Sequence, residues 1–475
     1  MRNRRNTRKR NVVLDTITNK NFIIIVSILL IIMVVAEGII QIRKTIDKKQ
    51  LAKQAEELQR QTGEIFTAIE NDLTNPQTNG ETARTRTAKI SAVGDILCQM
   101  DMINDAKTDD GYDFSHMFTE VSKFVKDSDL AIGTLETNFV NEKYSGAGKY
   151  NSPAEFLTAV KNSGIGLVSL AHNHVLDYGT QGMTTTLNKI KEQGIETTGI
   201  SEIAKETSGE NVERNLTNDE TATALNEANN EQSKDEIKAN ETEKNEQPST
   251  ELNEQLDNAE FTGNIKEING IKIAFLGYTY GLSNENEVDE ETKKSANIYS
   301  NELALKDIEY AEKKSNYIIV IMHWGDVNSS EISEYQRNIT SFLVENGVDM
   351  ILGSHPSVVE PMEMIQTEEG KNVLVAYSLG NYISTLKYAN ADVELILNIQ
   401  ISKSSDSNKA VLQKVDYTPI YVLDNGTKSE NRFELTDMKK LAQDYANGDT
   451  SRITRKTYES ILTKLEKLQN KVNSK

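Results

Sequence analysis

Four of the five histidines in this 475-residue chain follow apolar runs. His172 and His174 end "LVSLAHNH", His323 ends "IIVIMH" and His355 ends "MILGSH". Carboxylates and amides stand in matching places. Asp95 closes "ISAVGD", and Glu136 closes "LAIGTLE" with Asn138 just beyond. Asn173 sits between the paired histidines, Asp177 lies three residues past His174, and Ser378 and Asn381 follow "LVAY". Trp324 and Asp326 come directly after His323, whereas His116 in "GYDFSHMF" stands apart. Acids, amides and imidazoles brought together on loops are what a divalent cation requires. Imidazole suits Zn, Fe, Co or Ni, and carboxylate oxygens widen the choice to Mn and Mg. A bridging carboxylate can hold two such ions roughly 3.5–4 Å apart and activate water towards a phosphoryl or acyl centre.

Each residue also has a plainer reading. Asp95 could cap a helix, Glu136 could be a solvated loop acid, and a lone His174 could be a hydrogen-bonded core histidine. Recurrence at equivalent places favours a ligand or active-site role for His174, His323 and His355. Trp324 reads as packing or a pocket wall, Asn381 as a tie between loops, and His172 is open between both readings.

The elements that must position these residues are the apolar runs themselves: "AKISAVGD", "DLAIGTLE", "GLVSLAHNH", "IKIAFLGYTY", "NYIIVIMHWG", "VDMILGSHP" and "NVLVAYSLGN". They alternate with helical stretches, which predicts an α/β domain with largely buried sheets. Ligands in such folds gather beyond the carboxyl ends of strands.

Hydrophobic content of 37% is low for a wholly globular chain of this length, which predicts a folded domain diluted by polar segments. Residues 201–260 hold 17 Asp/Glu against 5 Lys/Arg and no aromatic residue, a large share of the net charge of -19. Such a segment buries too little surface to offset its ordering entropy, and it reads as a disordered acidic insertion. The remainder is mildly acidic, which gives no support for nucleic-acid binding. Cys98 is the lone cysteine, so no intrachain disulfide can form, and it reads as an inert thiol.

Residues 1–20 are strongly basic, and an apolar stretch over 21–40 follows. No convincing cleavage site appears, so the segment reads as a single-pass signal anchor. The positive-inside rule then puts the N-terminus in the cytoplasm and the main domain outside the cell membrane. Residues 41–70 read as a charged helix and the segment to 87 as linker. The main domain spans 88–424, and a helical tail occupies 425–475.

"AVGDIL", "GTLET", "LAHNHVLDYG", "HWGD", "GSHPSVVEP" and "YSLGNYI", in this order, resemble the CapA-type poly-γ-glutamate capsule synthesis proteins over about Ala88 to Leu423. The resemblance implies a two-sheet sandwich flanked by helices, similar to calcineurin-like metallophosphoesterases. It places Asp95, Glu136, Asn173, His174, His323 and His355 at metal-site positions, with Asp177, His355 or His172 orienting or protonating groups. It implies a divalent metal (Mn, Zn, Fe or Mg), poly-γ-glutamate or a related anionic polymer as ligand, and a membrane polymer synthase as partner. Two departures are visible. The family pattern usually reads Asn-Asn-His where this chain has His172, Asn173 and His174, and Ser357 replaces a second histidine after His355. These imply one metal in place of two, or compensation by His172. A metal-dependent hydrolase or transferase and a non-catalytic polymer-binding subunit both fit.

Overall fold

The computed structural model describes residues 84–200, 261–387 and 391–472, the strand 64–67, and a few residues between Ile32 and Lys53. Most of the expected membrane anchor (21–40) and of the juxtamembrane segment lies outside the described residues, as does the acidic insertion. Among the described residues, no helix is long and apolar enough to cross a membrane. The described residues within 62–440 and 459–475 form the unit that carries the two large sheets. Residues 441–458 belong to a second unit, in which Tyr445 stacks on Tyr458 at 4.7 Å.

The strands run in chain order as β1 (Glu64–Thr67), β2 (Thr85–Ile96), β3 (Leu130–Leu135), β4 (Ser145–Ala147), β5 (Lys149–Asn151), β6 (Ile165–Ser169) and β7 (Glu196–Thr198), then β8 (Asn264–Ile268), β9 (Ile271–Thr279), β10 (Tyr317–His323), β11 (Met350–Ser354), β12 (Met362–Gln366) and β13 (Asn372–Ala376), and lastly β14 (Asn381–Ile383), β15 (Val393–Ser404), β16 (Val411–Asp424) and β17 (Phe433–Asp437). Among the described residues, β4 and β5 pair as a two-stranded hairpin and the others form two large mixed sheets. One follows the order β1-β16-β15-β2-β3-β6-β7, with β14 on β2 and β17 on β16. The other follows β12-β13-β11-β10-β9-β8. Strands β2, β3, β6 and β7 are mutually parallel, as are β9, β10, β11 and β13. The fold is therefore α/β with two mixed sheets and helices.

Burial explains the strand composition. All seven residues of β10, "YIIVIMH", are buried, as expected for a central parallel strand covered on both faces. Helices Asn301–Lys314 and Glu334–Glu345 supply Ile308, Ile339 and Leu343 to a core with Ile318, Val320 and Ile351. The second helix begins with a reciprocal cap between Ser333 and Gln336, which satisfies two otherwise orphaned backbone donors. The two sheets touch where Thr198 of β7 donates to the Phe275 carbonyl of β9 at 2.5 Å.

Two segments differ from the sequence reading. The helix expected over 41–70 gives way at Glu64–Thr67 to a strand antiparallel to β16; "EIFT" carries the β-branched and aromatic residues that suit a pleated edge. Beyond Asn425, β17 extends the first sheet antiparallel to β16, and helices Met438–Ala446 and Arg455–Val472 follow.

Candidate metal centre

The carboxyl ends of β2, β3, β6, β10 and β11 converge and deliver polar groups, with both Asn173 and His174 following β6. Strands β10 and β11 pair in register with His323 beside Ser354. The Ser354 hydroxyl donates across to Thr134 Oγ1 of β3 at 3.2 Å, joining the two sheets at this point. His355 has φ +102, a strained value for a residue with a β-carbon. Its backbone N–H donates to Asp95 Oδ2 at 2.7 Å, which holds the strained turn against β2. Gly94 lets β2 approach the loop after β13, because a β-carbon there would lie 1.9 Å from the Gly380 oxygen.

Glu136, His323 and His355 present ligand atoms within 4.8 Å of one another, and all three are buried. His323 Nε2 lies 3.0 Å from Asn173 Oδ1, 3.0 Å from His355 Nδ1 and 3.8 Å from Glu136 Oε1. A neutral His323 offers either one N–H or one lone pair at Nε2, so a single hydrogen bond cannot satisfy all three neighbours at once. Behind the ring, His323 Nδ1 is 3.3 Å from both Ser354 Oγ and Asp95 Oδ1. Asp95 Oδ1 is buried and makes no hydrogen bond.

Electrostatics point the same way. Burial pushes the Asp95 carboxyl up to about 6. Glu136 is held well above the usual range by burial and by the nearby Asp95 and Asp177 carboxylates. Burial depresses His323 strongly, and burial together with His323 brings His355 down to about 3. Burial disfavours the charged form of acid and imidazole alike; the imidazoles stay neutral and able to ligate, and a divalent cation beside the acids would favour their carboxylates. The donor set, carboxylate and amide oxygen with two imidazole nitrogens, fits such an ion.

His174 stands at the edge. Its Nε2 is 4.0 Å from Glu136 Oε1, and its Nδ1 is 2.9 Å from Asp177 Oδ2. Asp177 also accepts from the Tyr150 N–H at 2.9 Å and the Ser283 hydroxyl at 3.1 Å, so its position is over-determined. His172 is buried behind this loop, where Nδ1 accepts from the His174 N–H at 3.2 Å. The Ser357 hydroxyl turns back onto the His355 carbonyl at 3.4 Å. The structure thus gathers Asp95, Glu136, Asn173, His174, His323 and His355, with Asp177 one layer out and His172 behind.

The remaining residues read from the sequence serve the frame. Asn138 Nδ2 donates to the carbonyls of Tyr150 and His174. Asn381 Nδ2 donates to the Ser357 carbonyl and its N–H to Glu394. Ser378 ties Val358 to Gly380. Trp324 is fully buried with its indole donating to Tyr377 O at 2.8 Å, Asp326 is exposed, and His116 pairs with Asp105 far from the cluster. Cys98 is buried, and burial pushes its thiol up.

Sequence reasoning passed over two tyrosines. Tyr280, directly after β9, sits 4.8 Å from the His355 ring and hydrogen-bonds the Asn173 side chain. Tyr150 meets the His174 ring edge-on at 4.5 Å. Tyr280 closes an apolar run in the same way as His323, and that position was its signal.

Similar proteins were found at three levels. A 24% identity over 307 residues links the chain to the capsule biosynthesis protein CapA of Bacillus anthracis, covering 62% of this chain and 59% of that protein. The PGA biosynthesis protein CapA of Bacillus subtilis (strain 168) is 23% identical over 299 residues, 62% of each chain. The chain thus spans less than two thirds of the length of these curated relatives. Among solved structures, NAD nucleotidase of Haemophilus influenzae aligns over 82% of this chain and 61% of its own, with 14% identity and a TM-score of 0.37. Sulfate thiohydrolase SoxB of Thermus thermophilus aligns over 83% and 62%, with 9% identity and a TM-score of 0.35. The profile of the bacterial capsule synthesis protein PGA_cap matches residues 89–267 and 252–386. That range holds every residue of the converging cluster and more than half of the chain, and on this ground the protein belongs to the PGA_cap family of bacterial capsule synthesis proteins.

Proposed function

We propose that the chain is a metal-dependent hydrolase or transferase that acts on an amide or phosphoester bond during synthesis, export or anchoring of poly-γ-glutamate or a related anionic polymer. The observation that carries this reading is the convergence of Asn173, Glu136 and His355 donors on His323 Nε2. Glu136, Asn173, His323 and His355 would hold the cation, with Asp95 orienting His323 from behind. A divalent cation bound there supplies Lewis-acid polarisation and favours ionisation of water at neutral pH.

The chain's own residues divide the remaining work. Asp177 holds His174 Nδ1, so that Nε2 faces Glu136 and can take or give a proton on the substrate side. Tyr280, 39% exposed, forms the rim over His355 and offers a hydroxyl to a bound substrate. The apolar segment 21–40 and the basic residues before it support anchoring in the cell membrane with the domain outside. A membrane polymer synthase is the natural partner of a protein so placed.

A second reading, a non-catalytic subunit that binds polymer through a retained metal, draws on Ser357. Its hydroxyl bonds the His355 carbonyl and adds no imidazole to the cluster. Hydrolysis of γ-glutamyl amides and of phosphodiesters by the metal-loaded full-length protein separates the two. Turnover in the native protein that is lost in His323→Ala supports the enzyme. Bound metal without turnover on either bond class supports the binding subunit, and no metal after reconstitution overturns both.

A further inference from the structure

The hairpin of β4 and β5 is fastened by Asn151. Its Oδ1 accepts from the Val140 N–H at 2.8 Å, and its Nδ2 donates to the carbonyls of Val140, Glu142 and Lys143. Beside the hairpin lies a cleft of about 940 Å³ to which it contributes Lys143 and Lys149, while the segment after β9 contributes Asn284 and Glu287. Asp177 lines the same cleft, and it is the carboxylate that holds His174. Lys149 and Tyr150 are neighbours on β5. Lys149 lines the cleft, and Tyr150 meets His174. The cleft and the metal centre therefore share a wall.

The lining carries both signs. Asp177 is taken up by His174, and Asp289 by capping the helix at Thr292, which leaves Glu142 and Glu287 beside the two lysines. Asn284 Nδ2 donates to the Leu176 carbonyl, whereas Asn284 Oδ1 is buried without a hydrogen bond. A purely anionic polymer segment would be repelled by the acids here. The amino end of a γ-linked glutamyl chain differs, because one carbon bears both a free ammonium and a free carboxylate, and amide N–H groups follow.

We propose that this cleft binds the amino-terminal end of a γ-glutamyl chain: its carboxylates on Lys143 and Lys149 and its ammonium on Glu287. This inference rests on the polymer-handling reading of the adjoining metal centre. It makes the protein a reader of chain ends, with His174 just past the bound end.

The test uses full-length protein in detergent micelles and titration calorimetry with a γ-glutamyl trimer and its N-acetyl derivative. The free trimer is expected to bind about tenfold more tightly than the acetylated one, the size of one charge-assisted contact. Glu287→Gln is expected to erase that preference, and Lys143→Ala with Lys149→Ala to weaken both ligands about tenfold or more. Lys149→Gln with an unchanged melting temperature guards against a folding defect. Equal binding of free and acetylated trimer, binding indifferent to the lysines, or no binding of either would overturn the assignment. Metal content measured on the same samples keeps the two ideas apart. Bound metal with binding blind to the amino end strikes the cleft alone, whereas chain-end discrimination without metal strikes the reading of the centre.

Discussion

His355 Nδ1 lies 3.0 Å from His323 Nε2, and both rings are buried. As neutral rings they can share one N–H between these nitrogens, and a cation ligated by both would take the place of that hydrogen bond. A cation ligated by both makes them one unit. His323→Ala and His355→Ala are each expected to abolish stoichiometric metal, and the double variant is expected to lose no more than either single one. Addition of metal should raise the melting temperature of the native protein only, since a ligand stabilises the state that binds it. Measured by elemental analysis and thermal melts, additive partial losses would show that the two rings do not share an ion.

Asp177 acts through His174, and the same oxygen, Oδ2, accepts from the Tyr150 N–H. Asp177→Asn keeps the shape and removes the charge that selects the His174 tautomer. A cost of about 10–100-fold in metal affinity or turnover is expected, as for other carboxylates behind a site histidine. Asp177→Ala is expected to lose a further ~1–3 kcal/mol of stability by stranding the Tyr150 donor. Competition binding and urea unfolding measure the two. An Asp177→Asn protein with native affinity and turnover would reduce this residue to a loop tie.

The cluster was legible in the sequence because each polar residue interrupts an apolar run at a strand end, and parallel strands deliver their carboxyl ends to one place. Asp95, Glu136, His174, His323 and His355 all obey that pattern. Tyr280 obeys it too, yet a tyrosine after "IAFLGYT" reads as more strand. The antiparallel half of the first sheet left a weaker trace. In β15, "VELILNIQISKS" mixes polar and apolar residues, and its partner β2 lies some 300 positions earlier in the chain, a pairing that no local period reveals. Glu394 is fully buried in that strand because it accepts from the Asn381 N–H, a contact that exists only once the loop after β13 has docked.

Gly353 precedes the Ser354–His355 pair, and a β-carbon there would lie 1.9 Å from the Tyr377 oxygen and 2.6 Å from the Trp324 indole nitrogen. Backbone cannot yield as a side chain can. Gly353→Ala is expected to cost about 1–3 kcal/mol by overpacking, to break the Trp324 hydrogen bond and to weaken metal binding by shifting His355. Gly166→Ala on β6 meets only the flexible Leu130 Cδ1 at 2.9 Å and is expected to cost less and leave metal binding alone. Unfolding and metal titration of both variants check this. Equal effects would mean that the approach at Gly353 does not position the site.

Glu360, five residues beyond His355, is buried with Oε2 accepting from Gln336 Nε2 at 2.7 Å and Oε1 without a partner. Burial raises its carboxyl from 4.5 to about 8, opposed by the Gln336 hydrogen bond and by Lys471. The sign follows from proton counting. Between those two values the unfolded chain has released the proton that the folded chain retains, so stability falls as pH rises and levels off above the folded value. Glu360→Gln keeps the shape and the Gln336 neighbour but cannot ionise. It is expected to match the native protein near its acid limit, to gain steadily on it as pH rises, and to be the more stable of the two by at least ~1 kcal/mol at about pH 9. Urea unfolding across that range reads the difference directly. Curves that stay parallel would mean that Glu360 ionises in the folded state as readily as in the unfolded one, with Lys471 compensating the burial in full.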